Sequence, residues 1–319
     1  MTKATTRLAL TGILAMGAVA AATPAAAASE PASCRQVRFS DVGWTDITAT
    51  TASASVVLEA LGYEPSSELL SVPVTYASLK NGDIDVFLGN WMPSMEADLR
   101  PYLEDGSVES VRANLEGAKY TLAVPRHVAE AGLKDFADIA KFEKELDGKI
   151  YGIEPGNDGN RLIQTMIDED AFGLGGFELV ESSEQGMLAQ VERAARRDQW
   201  IVFLGWEPHP MNARFDMAYL SGGDDVFGPD FGGATIYTNV RKGYLEECPN
   251  LGKFLRNLDF TLAMENEIMA AILDEGQEPE AAARAWLAAH PDMALGWVEG
   301  MTTADGGDAA AAVREALAD

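Results

Sequence analysis

Short apolar runs alternate with longer amphipathic stretches from about Cys34 to Ile236, and this alternation restricts the fold more than any other feature. QVRFSDVGW predicts a strand, ITATTASASVVLEALGY a helix that begins near Asp46, and IDVFLGNW another strand. LLSVPVTY is a further strand candidate. Strands interleaved with helices indicate an α/β fold with a mainly parallel sheet.

The first residues have the three-part layout of a secretory signal peptide. Lys3 and Arg7 precede an uncharged stretch over 8–22, and small residues follow up to Ala28, after which we expect cleavage. A transmembrane anchor is the alternative, but the apolar stretch is short of the roughly 20 residues that span a bilayer. We therefore expect an exported protein.

The two cysteines, Cys34 and Cys248, are predicted to form a disulfide, because export leads to an oxidising compartment. The alternatives are two free thiols or a lipid anchor on Cys34, although Pro31 is a poor context for lipidation. A bridge would bring the mature N-terminus beside the C-terminal third of the chain. The segment between them can then hold an inserted domain.

We predict two lobes after a signal peptide of residues 1–28. The first lobe is discontinuous and consists of residues 29–117 and 216–319, whereas the second is an inserted α/β unit of residues 118–215. Lobes joined in this way leave a cleft between them, and ligand sites favour such clefts.

The chain is strongly acidic, with a net charge of −26. Nucleic acid and anionic membrane surfaces are therefore disfavoured as partners. The sequence shows no pattern for catalysis, a metal site or a cofactor: the three histidines are scattered, and EPGNDGN lacks the residues of a phosphate-binding loop. We expect no catalytic residues, no metal and no cofactor.

Three tryptophans follow predicted strands by a short distance, namely Trp44, Trp91 and Trp206. They are expected at carboxyl strand ends, where ligands bind in α/β sheets. Packing is the alternative role, and we expect it for Trp200, Trp286 and Trp297. Several aromatic faces around one cleft suit a quaternary ammonium group, which has no N–H to donate. Sugar binding would call for more Asn, Arg and His nearby.

Several long strings resemble the substrate-binding proteins of ATP-binding-cassette importers for quaternary ammonium compounds, above all the periplasmic choline-binding proteins. They are FSDVGWTDITATTASASVVLEALGY, VPVTYASLKNGDIDVFLGNWMPSM, GAKYTLAVP, KIYGIEPGNDGNRL, SSEQGMLAQV and IVFLGWEPHPMN. The resemblance implies a two-lobed periplasmic binding protein fold, a monomer in the periplasm, and a membrane permease with its ATPase subunit as partners.

The resemblance also implies the roles of six site residues. An aromatic box would consist of Trp44, Trp91, Tyr120 and Trp206, while Asp46 would accompany the cationic end and Asn157 would hold the choline hydroxyl. Asp46 attracts choline and repels the carboxylate of glycine betaine, although it is also placed to cap a helix. A betaine or acetylcholine receptor of the same fold remains an alternative, as does an exported enzyme acting on choline esters.

Overall fold

The structure is a computed structural model that describes residues 1, 2, 4 and 30–318. The predicted signal peptide and its cleavage site lie outside the described residues, apart from Met1, Thr2 and Ala4. The described part of the chain contains nine strands: β1 (Gln36–Asp41), β2 (Glu64–Leu69), β3 (Val86–Met92), β4 (Val108–Pro125), β5 (Lys149–Tyr151), β6 (Glu178–Val180), β7 (Phe203–Glu207), β8 (Met217–Tyr219) and β9 (Gly233–Arg241).

Helices connect these strands and dominate the C-terminal third. They are α1 (Thr45–Ala60), α2 (Val72–Asn81), α3 (Glu96–Glu104), α4 (Arg126–Glu130), α5 (Phe136–Ile139), α6 (Asp158–Asp168), α7 (Glu184–Ala195), α8 (Met211–Arg214), α9 (Asp224–Phe227), α10 (Pro229–Gly232), α11 (Tyr244–Glu247), α12 (Pro249–Asn257), α13 (Leu262–Leu273), α14 (Pro279–Ala289), α15 (Pro291–Trp297) and α16 (Ala309–Ala316). None of the helices within residues 30–318 has the length and apolarity needed to cross a membrane.

All nine strands form one mixed sheet in the order β2-β1-β3-β9-β4-β7-β5-β6, with β8 paired to β4. The expectation of a mainly parallel sheet is wrong, because β9 lies antiparallel between β3 and β4. The long strand β4 also runs antiparallel to β7 and β8. The α/β class itself is confirmed, with parallel pairs at both ends of the sheet.

Strand β4 belongs to both halves of the sheet. Its first part pairs with β9 as far as Lys119, and residues 119–123 then pair with β7. The predicted lobe boundary at residues 117 and 118 falls close to this change of partner. Strand β8 begins just beyond the predicted boundary at 215 and 216 but pairs with β4 at residues 123–125. The exact lobe boundaries stay a prediction.

The prediction of a strand at LLSVPVTY is wrong, because helix α2 begins within this segment. Pro73 occupies the second helical position, where its missing N–H costs nothing, and Gly82 ends the helix in the left-handed conformation with φ of 77°. The strand at this edge is instead β2, whose residues are mostly exposed. Its polar sequence, EPSSEL, gave no apolar signal to recognise.

Cys34 and Cys248 form a disulfide in the structure, with their Cα atoms 5.6 Å apart and both residues fully buried. The bond closes a loop of 214 residues. In the chain-entropy model such a loop stabilises the folded state by roughly 5 kcal/mol. Cys34 lies just before the start of β1, whereas Trp44 follows the end of that strand. The disulfide is therefore at the opposite end of β1 from the predicted site.

Candidate functional site

A small cavity lies where β1, β3, β4 and β7 bring their aromatic residues together. It is lined by Trp44, Asp46, Trp91, Tyr120, Ile153, Asn157, Asp158 and Trp206. All six residues that the sequence predicted for the site are among these eight. Each of the four aromatic side chains is at most 5% exposed, so the cavity is nearly closed to solvent.

The sheet places the aromatic residues. Trp91 and Trp206 occupy the next-to-last positions of β3 and β7, and Trp44 follows β1 as the residue before α1. Tyr120 lies directly opposite Trp206 in the antiparallel pair of β4 and β7, so their side chains project to the same face. In this arrangement the three tryptophans lie at or near the carboxyl ends of strands, as the sequence predicted.

The rings meet at steep angles. The centroids of Trp91 and Tyr120 are 5.9 Å apart with an interplanar angle of 58°, and those of Tyr120 and Trp206 are 6.3 Å apart at 78°. Rings arranged in this way cannot stack face to face, so several faces can point into one space. The negative face of each ring attracts a cation that lies within about 6 Å of its centroid.

Asp46 supplies a buried carboxyl group beside the rings. It lies in the first turn of α1, and its Oδ2 accepts a hydrogen bond of 3.2 Å from the indole Nε1 of Trp91. Its Oδ1 is buried without a hydrogen-bond partner in the described structure. Burial, followed by the nearby charge of Glu184, raises the pKa of Asp46 to about 8. A cation in the cavity would stabilise its ionised form.

Two further carboxyl groups were missed in the sequence, one that lines the cavity and one that bonds to a lining residue. Asp158 lines the cavity, and burial raises the pKa of this residue to about 6. Glu154 accepts a hydrogen bond of 2.6 Å from the indole Nε1 of Trp44, and burial raises its pKa to about 7. Both belong to the loop EPGNDGN, where only Asn157 was singled out.

Asn157 joins the aromatic residues to helix α6. Its Oδ1 accepts hydrogen bonds from the hydroxyl of Tyr120, at 2.9 Å, and from the backbone N–H of Asn160, at 3.0 Å, which caps the helix. Its Nδ2 donates to Oδ1 of Asp158 at 3.1 Å. Gly159 leaves room for this arrangement, because a Cβ there would overlap the hydroxyl of Tyr120.

The cavity favours cations. None of its eight lining residues, all of them in the described range 30–318, is an Arg, Lys or His. Arg161, on the next turn of α6, is already paired with Asp98 at 2.6 Å and donates to the backbone oxygen of Ser94 at 3.1 Å. A ligand carboxylate would therefore meet acidic groups and aromatic faces in the cavity, and no lining side chain of opposite charge.

Comparison with known proteins shows which family has this architecture. A family model described as the substrate binding domain of ABC-type glycine betaine transport systems matches residues 35–289. A solved structure of an ABC-transporter choline binding protein in complex with choline is 67% identical, with a TM-score of 0.89, and the match covers 90% of this chain and 100% of the other.

Two further relatives support the same assignment. An ABC-transporter choline binding protein in an unliganded semi-closed conformation is also 67% identical, with a TM-score of 0.83 and coverage of 89% of this chain and 99% of the other. The glycine betaine/carnitine transport binding protein GbuC of Listeria monocytogenes is 30% identical over 163 residues, which are 51% of this chain and 53% of that protein. That match spans about half of each protein. The family model covers most of the described chain, and the chain belongs to the family of substrate-binding domains of ABC-type glycine betaine transport systems.

Proposed function

We propose that this protein captures choline in the aromatic cavity and delivers it to the permease of an ABC importer. One observation carries the proposal: four aromatic side chains enclose a space that also contains Asp46 and Asp158 and has no basic lining residue. A quaternary ammonium group cannot donate an N–H hydrogen bond, so aromatic faces bind it by cation–π attraction of roughly 0.5–2 kcal/mol each.

The acidic groups favour choline over glycine betaine. Choline has a net positive charge, which offsets the cost of ionising the buried carboxyls of Asp46, Glu154 and Asp158. Glycine betaine brings its own carboxylate, which these groups repel at short range. The 67% identical structure that contains choline supports the same choice of ligand.

Each predicted residue has a role in the proposed complex. Trp44, Trp91, Tyr120 and Trp206 surround the trimethylammonium group, and Asp46 balances its charge. The choline hydroxyl lies at the Asn157 end of the cavity, where Asn157 has an amide donor. The Oδ2 of Asp158, which has no hydrogen-bond partner among the described residues, is an acceptor there.

Binding closes the two lobes on the ligand. Trp44, Asp46 and Trp91 belong to the lobe of residues 29–117 and 216–319, whereas Tyr120, Asn157 and Trp206 belong to residues 118–215. Choline contacts both and therefore favours the closed state through its differential affinity for that state. The protein works as a monomer in the periplasm after removal of residues 1–28, and it presents the closed form to the permease and its ATPase subunit. Catalysis has no part in this role.

Calorimetric titration of the purified protein at about pH 8 tests the proposal. Choline is expected to bind with one site per chain and at least about tenfold more tightly than glycine betaine, because of the charge difference. Acetylcholine should bind more weakly than choline, since it lacks the hydroxyl hydrogen. Tighter binding of glycine betaine, or no heat with choline, would contradict the proposal.

A further inference from the structure

Glu184 lies outside the cavity but contacts the segment that carries two of its residues. It is the first residue of α7 and is fully buried. Its Oε2 accepts a hydrogen bond of 2.8 Å from the backbone N–H of Thr45, and its Oε1 accepts one of 2.6 Å from the Thr45 hydroxyl. Thr45 stands between Trp44 and Asp46, so its position influences both.

The location of Thr45 makes this contact favourable. Thr45 is the first residue of α1, where backbone N–H groups have no partner within the helix. The positive end of the helix dipole also attracts a carboxylate. Glu184 thus supplies both a missing acceptor and a favourable charge to a helix of 16 residues.

His209 holds the carboxylate from the other side. Its Nδ1 accepts the backbone N–H of Met211 at 2.9 Å, so Nδ1 is unprotonated and Nε2 carries the hydrogen. That Nε2 donates to Oε1 of Glu184 at 3.2 Å. The ring of His209 also packs against Trp206, with centroids 4.8 Å apart. One chain of contacts therefore joins the start of α1 to an aromatic residue of the cavity.

This chain of contacts crosses the boundary between the proposed lobes. Thr45 belongs to the lobe of residues 29–117 and 216–319, whereas Glu184 and His209 belong to the lobe of residues 118–215. Opening of the proposed lobes would separate Thr45 from Glu184 and break these bonds. Other contacts also cross the boundary, among them those from Trp44 to Glu154 and from Arg161 to Asp98, but Glu184 is more deeply buried than Glu154 or Arg161.

We propose that Glu184, held in place by His209, is a positioning residue that locks the closed state by binding the N-terminus of α1 through Thr45. This inference rests on the proposed function. Glu184 does not touch the ligand in this scheme. It acts through Thr45, which keeps Trp44 and Asp46 in place, and it slows the reopening that releases choline.

Glu184→Gln tests this contact well because a fixed donor faces each carboxylate oxygen: the backbone N–H of Thr45 faces Oε2, and Nε2–H of His209 faces Oε1. An amide NH2 at the Oε2 position would meet the backbone N–H of Thr45. At the Oε1 position it would meet Nε2–H of His209, whose tautomer is fixed by Met211. Glutamine has nearly the same shape but leaves a buried donor without an acceptor in either orientation.

The experiment measures choline dissociation by stopped-flow tryptophan fluorescence and choline affinity by calorimetry. Glu184→Gln and Thr45→Val are each expected to speed dissociation by about 10- to 100-fold, the range for losing a buried hydrogen bond to a charge. Thr45→Ser keeps the hydroxyl and the backbone N–H, so it should stay within about threefold of the original protein. The double variant Glu184→Gln/Thr45→Val should be no worse than about threefold beyond the worse single variant, because both changes weaken the same contact between Thr45 and Glu184.

Glu192→Gln is the matched control on the same helix. Glu192 pairs with Arg196 and Arg214 at the surface, so its loss should leave choline dissociation unchanged. Small-angle scattering with saturating choline should show a larger radius of gyration for Glu184→Gln than for the original protein. Should Glu184→Gln fail to fold, Thr45→Val carries the same test.

The outcomes separate the two proposals. If the original protein binds choline and both Glu184→Gln and Thr45→Val release it at the original rate, the closing role is overturned while the proposed function stands. The closing role would also be overturned if the two increases in dissociation rate multiply in the double variant, because Glu184 and Thr45 would then act through separate contacts. If the original protein does not bind choline, the proposed function falls and this inference falls with it.

Discussion

Replacing Trp206 with alanine is expected to weaken choline binding by about 100- to 1000-fold, in the range of truncated aromatic hot spots. The variant loses the attraction of one ring face for the cation. It also opens the cavity, because the side chain is only 3% exposed and lies edge-on to Tyr120, with centroids 6.3 Å apart. Calorimetric titration with choline measures the loss.

Trp200→Ala is the matched control in the same proposed lobe. Trp200 is partly buried against Phe142, with centroids 4.9 Å apart, and does not line the cavity. Its removal should cost some stability but leave choline affinity within about threefold of the original. Circular dichroism verifies that both variants are folded. Affinity for choline that survives in Trp206→Ala would remove the tryptophan from the site.

Choline affinity is expected to fall steeply as the pH is lowered from about 8.5 to 6, by about 100-fold if Asp46 alone must ionise. Without a cation, burial raises the pKa of Asp46 to about 8, that of Glu154 to about 7 and that of Asp158 to about 6. The cation favours the ionised carboxyls, so binding releases protons. Affinity is therefore fully present above the highest of these pKa values and is lost as the pH falls through them.

Asp46→Asn should weaken choline binding at about pH 8.5 by about 100-fold, because a buried ion pair loses one partner. It should also flatten the upper part of the pH profile. The acidic groups coupled to Asp46 are Glu184 on α7 and Glu265 on α13, and both remain in this variant. Burial raises the pKa of Glu265 well above its ordinary value. Asp105→Asn is the control: the ion pair with Lys80 lowers the pKa of the exposed Asp105 to about 2, so it stays ionised throughout.

The stability of the ligand-free protein should fall as the pH rises, whereas choline affinity should increase. Asp46 in the unfolded chain ionises near the ordinary aspartate pKa of 3.8, but in the folded protein burial raises this pKa to about 8 and the carboxyl keeps its proton until then. The unfolded state therefore binds fewer protons between these values, and stability falls as the pH rises through them. Saturating choline should remove this fall between about pH 6 and 8, because the bound cation keeps Asp46 ionised in the folded protein, as it already is in the unfolded chain. A choline affinity that is constant from about pH 6 to 8.5 would contradict the proposed charge coupling.

The sequence predicts the tryptophans of the site better than its acids. Trp44, Trp91 and Trp206 each follow an apolar run, so a local pattern places them near strand ends. Tyr120 lies inside the long strand β4, and only the family resemblance pointed to it. Glu154, Asp158 and Glu184 were missed because this chain has 50 acidic residues, and burial of a particular one depends on tertiary contacts.

The errors in the fold have a related physical cause. The antiparallel placement of β9 between β3 and β4 joins strands that are distant in sequence, so no local period reveals it. The strand β2 has a polar sequence because it is an exposed edge. Periodicity reports the burial of a segment, and it predicts poorly where an edge strand is exposed or where a helix has a proline in its first turn, as α2 does at Pro73.

A crystal structure of the protein with choline tests the central proposal most directly. The proposal predicts that the choline nitrogen lies within about 6 Å of the ring centroids of the four cavity aromatics, Trp44, Trp91, Tyr120 and Trp206. The choline hydroxyl should lie within hydrogen-bond distance of Asn157. Choline bound elsewhere on the protein, or with its hydroxyl among the rings and its trimethylammonium group at Asn157, would contradict the proposed site.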